Sequence, residues 1–332
     1  PTNGIYLKTF IGKSRTHFTY ADGILRGADA ELNINDVFNY ESKTKFIVGG
    51  SLISRYQERN NLVFKIPQNV SAYSARLTLN HGGWNYYGEY AYKINDPANV
   101  LSASKMNYAS GNAFTQNITF SKKGFGIIAE MHRIDNMTFK SDRDRDGRAY
   151  LINYIPTLSK PHAYSLLALY PCATQADGEF GIQFDVFYKF QKRTLIGGKY
   201  GTKIAFNYSR ISGLDGGGSF LNDNIQHTPK LFSMNEELYF SDLNLSINKK
   251  ITKKTKLNFV LANQTYNRDF LEGHVVGDYG VLNSTIIITD LSYKIKTGHS
   301  LRIELQTLTS NQLKDYSENG GVYENGMEEP AE

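Results

Sequence analysis

The chain is poor in several things. It has one cysteine, one tryptophan and eight prolines in 332 residues. A single thiol, Cys172, excludes a disulfide framework and a paired-cysteine zinc site. The longest apolar runs, at 47–53 and 164–170, are strand-sized. They fall far short of the ~18 residues a spanning helix needs, so a helical membrane protein is excluded. No HExxH pair occurs, and the seven histidines show no metal-ligand spacing. No compact basic stripe points to nucleic acid, and none is expected as a partner. The first residues carry no charged segment followed by an apolar one, so no signal-peptide pattern is visible, as a mature or truncated chain would also show.

Aromatics and glycine are abundant. There are 23 Tyr, 19 Phe and 29 Gly, with 40% hydrophobic residues overall. That content excludes a disordered chain and favours strands and tight turns. The net charge is +5, yet residues 315–332 hold six acids and no Lys or Arg. We read 311–332 as an acidic polar loop or tail, and 1–310 as one structural domain.

Strict alternation marks the strands. In 71–80, Tyr73, Ala75, Leu77 and Leu79 oppose Ser74, Arg76, Thr78 and Asn80. After His81-Gly82-Gly83, Trp84, Tyr86, Gly88, Tyr90 and Tyr92 oppose Asn85, Glu89 and Lys93. Period two with a short Gly turn is a β-hairpin. Residues 178–190 place Phe180, Ile182, Phe184, Val186 and Tyr188 on one face. Further hairpins are expected at 114–120/125–134, 238–248/256–267 and 284–295/300–309. Less regular strands are expected near 5–12, 24–35, 45–56, 149–156, 163–170 and 201–210. The total is about 15 strands.

From residue 71 onward, short connections (81–83, 121–124, 158–162, 296–299) alternate with longer ones (94–112, 135–148, 212–237, 268–283). Two joins, 171–177 and 191–200, break the rule. Alternating short turns and long loops suit an up-and-down meander of the outer-membrane type. A soluble sandwich or barrel alternates equally well. Three features favour the membrane: strands of about 9–12 residues, aromatics near strand ends (Trp84, Tyr92, Tyr188, Tyr208, Tyr293) as in interfacial girdles, and a polar face charged along its middle. The expected fold is therefore all-β, a transmembrane up-and-down antiparallel β-barrel. Because such barrels carry even strand numbers, an odd count leads us to expect incomplete closure and a fragment of a larger barrel.

The run Gly88 to Pro97 (GEYAYKINDP), with YLINYIP at 150–156, PCATQADG at 171–178, GGKYGTKIAFNYS at 197–209, ILRGADAEL at 24–32 and the opening NGIYLKTFIGK, resembles segments of an outer-membrane β-barrel family of Bacteroidota that has no assigned function. The likeness spans most of 3–310. It implies outer-membrane location and longer family members, and it supplies no catalytic residues.

The sharpest local motif is Asp142-Arg143-Asp144-Arg145-Asp146-Gly147, which matches the start of a calcium loop. Asn153 stands where the bidentate Glu belongs, and Arg143 and Arg145 compete for the carboxylates. A solvated loop outweighs the ion, and calcium at Asp142, Asp144 and Asp146 is the alternative. Glycines at 197–198 and 213–218 lack phosphate-loop spacing. His132 lies beside Glu130 on the polar face, where a hydrogen bond outweighs catalysis, and Cys172 has no nucleophile signature. We expect no catalytic residues and no cofactor. The expected function is non-enzymatic passage or binding of a polar solute, or a structural envelope role, with membrane lipid as a partner. Alternatives are a plugged barrel binding an envelope protein, a soluble all-β carbohydrate or adhesin-like binder, and a lipid-acting barrel enzyme.

Overall fold

The structure is a computed structural model. It describes residues 4–16, 18–58, 66–94, 96, 110–145, 150–153, 156–214, 234–272 and 280–311. The chain order is β1 (Ile5–Gly12), β2 (Arg15–Thr16), β3 (Thr19–Tyr20), β4 (Ile24–Asn33), α1 (Ile34–Val37), β5 (Thr44–Tyr56), β6 (Asn69–His81), β7 (Trp84–Lys93) and β8 (Gly111–Lys122). It continues with β9 (Phe125–Asp135), β10 (Gly178–Phe190), β11 (Thr202–Leu214), β12 (Met234–Lys250), β13 (Thr255–Asn267), α2 (Arg268–Leu271), β14 (Val281–Lys296) and β15 (His299–Ser310). The two helices have four residues each.

Thirteen strands form one up-and-down antiparallel sheet in the order β1-β4-β5 and onward without crossover to β15, and β2 and β3 form a separate two-stranded ribbon. Sequence neighbours are sheet neighbours because tight turns link many of them. Gly124 and Gly298 sit at φ +83° and +82°, a conformation costly for residues with a Cβ. The sheet is not closed: β1 and β15 end the strand order.

Two expected strands do not appear among the described residues. Residues 163–170 form turns, and of the described residues in 149–156 only Leu151 bridges a neighbour, Lys140. The expected turn at 158–162 therefore joins no strands. The whole of 136–177 is one connection, and the connections 34–43, 82–83, 123–124, 191–201, 251–254 and 297–298 alternate with 13–23, 57–68, 94–110, 136–177, 215–233 and 268–280. The short joins 82–83, 123–124, 251–254 and 297–298 each lie between longer ones, 171–177 is no longer an exception, and 34–43 and 191–201 remain about as long as 13–23. The expected tail lies outside the described residues from 312 onward.

The chain divides into two compact units. One comprises Pro1–Ser159, Ala173–Phe187 and Ser209–Leu238; the other comprises Lys160–Cys172, Tyr188–Tyr208 and Tyr239–Glu332.

In the second unit apolar side chains are exposed on one face of the sheet while the other face buries polar and apolar side chains together. Along β14, burial alternates strictly from Val281 to Asp290. The buried positions include Ser284 and Asp290 as well as Ile286 and Ile288, while Ile287 between them is 43% exposed. On β12 and β13, Asp242, Asn244 and Gln264 are buried, whereas Leu243 and Leu261 are exposed. On β15, Ile303 and Leu305 are 58% and 66% exposed. The first unit repeats the pattern: Arg55, Lys93 and Glu179 are fully buried, while Leu52, Tyr73, Trp84, Tyr90, Ile118 and Phe184 are exposed. Scattered exposed apolar residues are ordinary; a face of them opposite buried charges is not.

Candidate functional site: a polar face covered by an inward-folded connection

Part of the polar face that the sequence predicts is covered by the chain itself. In the first unit the covering piece is the start of the long connection after β9. Residues 136–143 are all buried, where a solvated loop was expected. Charged side chains of the sheet find acceptors in this connection. Arg55 of β5 donates from Nη2 to Asp96 Oδ1 at 2.7 Å and from Nη1 to the Lys140 carbonyl at 2.7 Å. Both partners of this ion pair are fully buried, and the Phe139 ring lies 5.4 Å from the Arg55 guanidinium carbon. Lys93 of β7 donates to the Thr138 carbonyl at 2.7 Å. Backbone carbonyls of the connection thus take the donors that a buried cation must satisfy.

The acidic motif lies in the same piece. Gln57 donates from Nε2 to Asp142 Oδ1 and to Asp144 Oδ2, each at 3.0 Å, and its Oε1 accepts from the Arg143 amide at 3.0 Å. Asp142 also accepts from the Asp144 amide at 3.1 Å and the Asp22 amide at 3.3 Å. Arg145 Nε stands 3.5 Å from Asp142. Burial, and then the neighbouring Asp142 charge, push the Asp144 carboxyl above its ordinary range. Asp146 lies outside the described residues. Asn153, at the position of the missing Glu, accepts from the Phe139 amide at 3.1 Å. The described part of the motif therefore ties the connection to the sheet through Gln57, a residue that sequence spacing could not nominate. Among the described residues, no cluster of three or more His, Cys, Asp or Glu side chains is placed to hold a metal ion.

Between this connection and the polar faces of β5 to β9 lies a cavity of about 610 Å³, whose lining includes Tyr87, Glu89, Glu130, His132, Met137 and Leu158. Tyr87 donates to Glu89 at 2.5 Å, and Asn117 donates to Glu130. His132 stays near Glu130 on its strand, but its close partner is Glu179, with Nε2 2.5 Å from Oε1.

In the second unit, residues 160–172 cover the polar face. Tyr164 and Leu167 pack with Val260, Ala262, Ile286 and Ile288 in one buried cluster. The apolar run at 163–170 is thus not a strand, because β13 and β14 offer it an apolar stripe on their inner face. Polar contacts fix the segment. The His162 Nε2 atom lies 2.6 Å from Asp242 Oδ2, and Lys160 donates to Asn244 at 3.1 Å. Tyr164 donates to Asp290 at 3.0 Å, and Gln264 donates to the Leu167 carbonyl at 3.1 Å. Burial raises the Tyr164 hydroxyl pKa above its usual value, so this donor keeps its proton. Cys172, at the end of the segment, is buried. Gly197 and Gly198 belong to a turn in which the Gly198 amide donates to the Thr194 carbonyl at 2.8 Å. Of the glycine-rich run at 213–218, Gly213 and Leu214 are described, at the end of β11.

Fold and site together define an all-β protein, an up-and-down antiparallel sheet with a polar, internally covered face. The chain belongs to a family of unknown function (DUF6029), whose model matches residues 1–329. Among solved structures, it is similar to an OmpF of Salmonella typhi in complex with daunomycin, at 10% identity over 93% of this chain and 90% of that one, with a TM-score of 0.31. No curated protein matches.

Proposed function

We propose that this chain is an outer-membrane β-barrel protein with no catalytic role, whose polar face binds or passes a polar solute. The observation that carries this reading is an apolar face of the sheet exposed opposite buried polar side chains. Exposed Ile303 and Leu305 alternate with ion-paired Arg302 and Glu304, and exposed Leu243 lies between buried Asp242 and Asn244. In water such a face is an aggregation liability, whereas acyl chains satisfy it. The alternation of short and long connections supports the same reading, because outer-membrane barrels pair short periplasmic turns with longer outer loops. The end positions of β1 and β15 in the strand order fit a barrel that further strands would close. Both described His–carboxylate pairs are buried: His132–Glu179 links β9 to β10 and His162–Asp242 anchors a covering segment, roles that suit structure better than turnover.

A second reading has its own observation. Residues 136–143 and 160–172 occupy the polar face in their respective units, as the plug of a closed barrel serving an envelope complex would. Folding the purified chain into phosphatidylcholine vesicles, followed by alkaline carbonate extraction, tests membrane residence. The proposal predicts that the chain stays with the vesicles. Quantitative release into the supernatant as a folded protein would overturn it.

A further inference from the structure

The cavity of the first unit joins an apolar roof to a floor that carries two carboxylates, and we infer that it binds a small organic amine with an apolar body. Its volume, about 610 Å³, falls within the range of ligand sites. Met137, Phe139, Ile152 and Leu158 of the connection after β9 supply the roof, and β7 and β9 supply Glu89 and Glu130. Register places the two carboxylates on one face. Glu89 stands opposite Thr115, Glu130 stands opposite Asn117, and Thr115 and Asn117 are two residues apart on β8. Side chains two apart on a strand point to the same side.

Both carboxylates are half-buried and held by neutral donors. Glu89 accepts from the Tyr87 hydroxyl at 2.5 Å, and Glu130 accepts from the Asn117 amide. Among the described residues neither forms an ion pair. The nearby cations are committed elsewhere. Arg76 stands opposite Glu89 in register but holds Asp29 at 2.6 Å and Glu31 at 3.4 Å. Lys93 lines the cavity, yet it donates to the Thr138 carbonyl and has Asp96, Asp135 and Asp177 as acidic neighbours. The His132 Nε2 atom lies against Glu179.

A carboxylate removed from bulk water attracts a cation more strongly than a solvated one does. An ammonium head can donate to both Glu89 and Glu130, because it carries three hydrogens and no acceptor. The roof takes apolar surface of the same molecule out of water. The ligand is a solute and not a lipid. Glu89 precedes exposed Tyr90 and Asn117 precedes exposed Ile118, so the carboxylates lie on the face opposite the exposed apolar one. The inference rests on the function proposed above and names the solute class for that polar face.

Phenethylamine is the probe, and phenethyl alcohol is its uncharged counterpart. The full chain, folded in a zwitterionic detergent, is titrated with each by calorimetry at neutral pH, and the heat of mixing with empty micelles is subtracted. Saturable binding of the amine is expected, at least tenfold tighter than that of the alcohol. The double variant E89Q/E130Q keeps acceptors for Tyr87 and Asn117 but removes the charge. It should bind the amine at least tenfold more weakly with an unchanged circular dichroism spectrum. If that variant misfolds, T115K serves, because it sets an ammonium of the chain itself between the two carboxylates and should abolish amine binding. No saturable amine binding by the parent chain, equal affinity for amine and alcohol, or unchanged binding in both variants would overturn the inference. Because the titration is done in detergent, its failure is separate from failure to reside in a membrane.

Discussion

Replacing Arg55 with alanine should destabilise the folded protein by about 3–5 kcal/mol, the cost of leaving one partner of a buried ion pair without the other. Asp96 would be left fully buried, with its nearest remaining cation Arg143 at 3.9 Å. The Lys140 carbonyl would lose its 2.7 Å donor, and Phe139 would lose the guanidinium beside its ring. The covering segment should loosen locally before the sheet does, because these contacts hold it and not the strand ladder. Urea titration of the folded protein reads the loss. The double replacement Arg55→Met with Asp96→Leu should recover most of it, since buried ion pairs and apolar substitutes of similar size are often near parity. A loss below 1 kcal/mol in the single variant would mean that Asp96 is hydrated and that the segment does not seal the polar face.

Placing an arginine on the apolar face should have an effect of similar size. Ile287 lies near the middle of β14 and is 43% exposed. If its surroundings are acyl chains, Ile287→Arg should cost about 2–4 kcal/mol, the penalty for a cation at the bilayer midplane of a β-barrel. At a solvated sheet surface the same change would stay within about 0.5 kcal/mol. The two environments therefore predict results separated by several-fold. Equilibrium folding into vesicles, followed by tryptophan emission as denaturant is diluted, measures the difference. An Arg variant as stable as the parent would contradict a lipid environment for this face.

The strands were legible wherever two faces differ in polarity. The hairpin at 71–80 and 84–92, the strand at 178–190 and the pair beginning at 284 appear where alternation put them. The apolar run at 163–170 was misread because strand length and strand composition also describe a short buried segment. Its destination left a trace in the partner strands. Ile286-Ile287-Ile288 and Phe259-Val260-Leu261-Ala262 break strict alternation, so both faces of β13 and β14 are apolar there and the inner one needs a cover. The inward fold of 136–143 left a weaker trace. Lys93 is legible on a polar face, whereas nothing in the pattern of 45–56 singles out Arg55, and the acceptors of both, at Asp96, Lys140 and Thr138, are set by long-range packing. The acidic motif at 142–146 drew attention by its spacing, yet the residue that organises its described part, Gln57, lies 85 residues from Asp142.

The single tryptophan offers the most direct measurement. Trp84 opens β7 on the apolar face, 53% exposed, its ring 4.6 Å from that of Phe120. This is where an interfacial aromatic belongs. Folded into vesicles, its fluorescence should be quenched by lipids brominated near the headgroup end of the acyl chain, and less by those brominated near the chain terminus. Emission unaffected by bromine at any depth would contradict contact between this face and lipid.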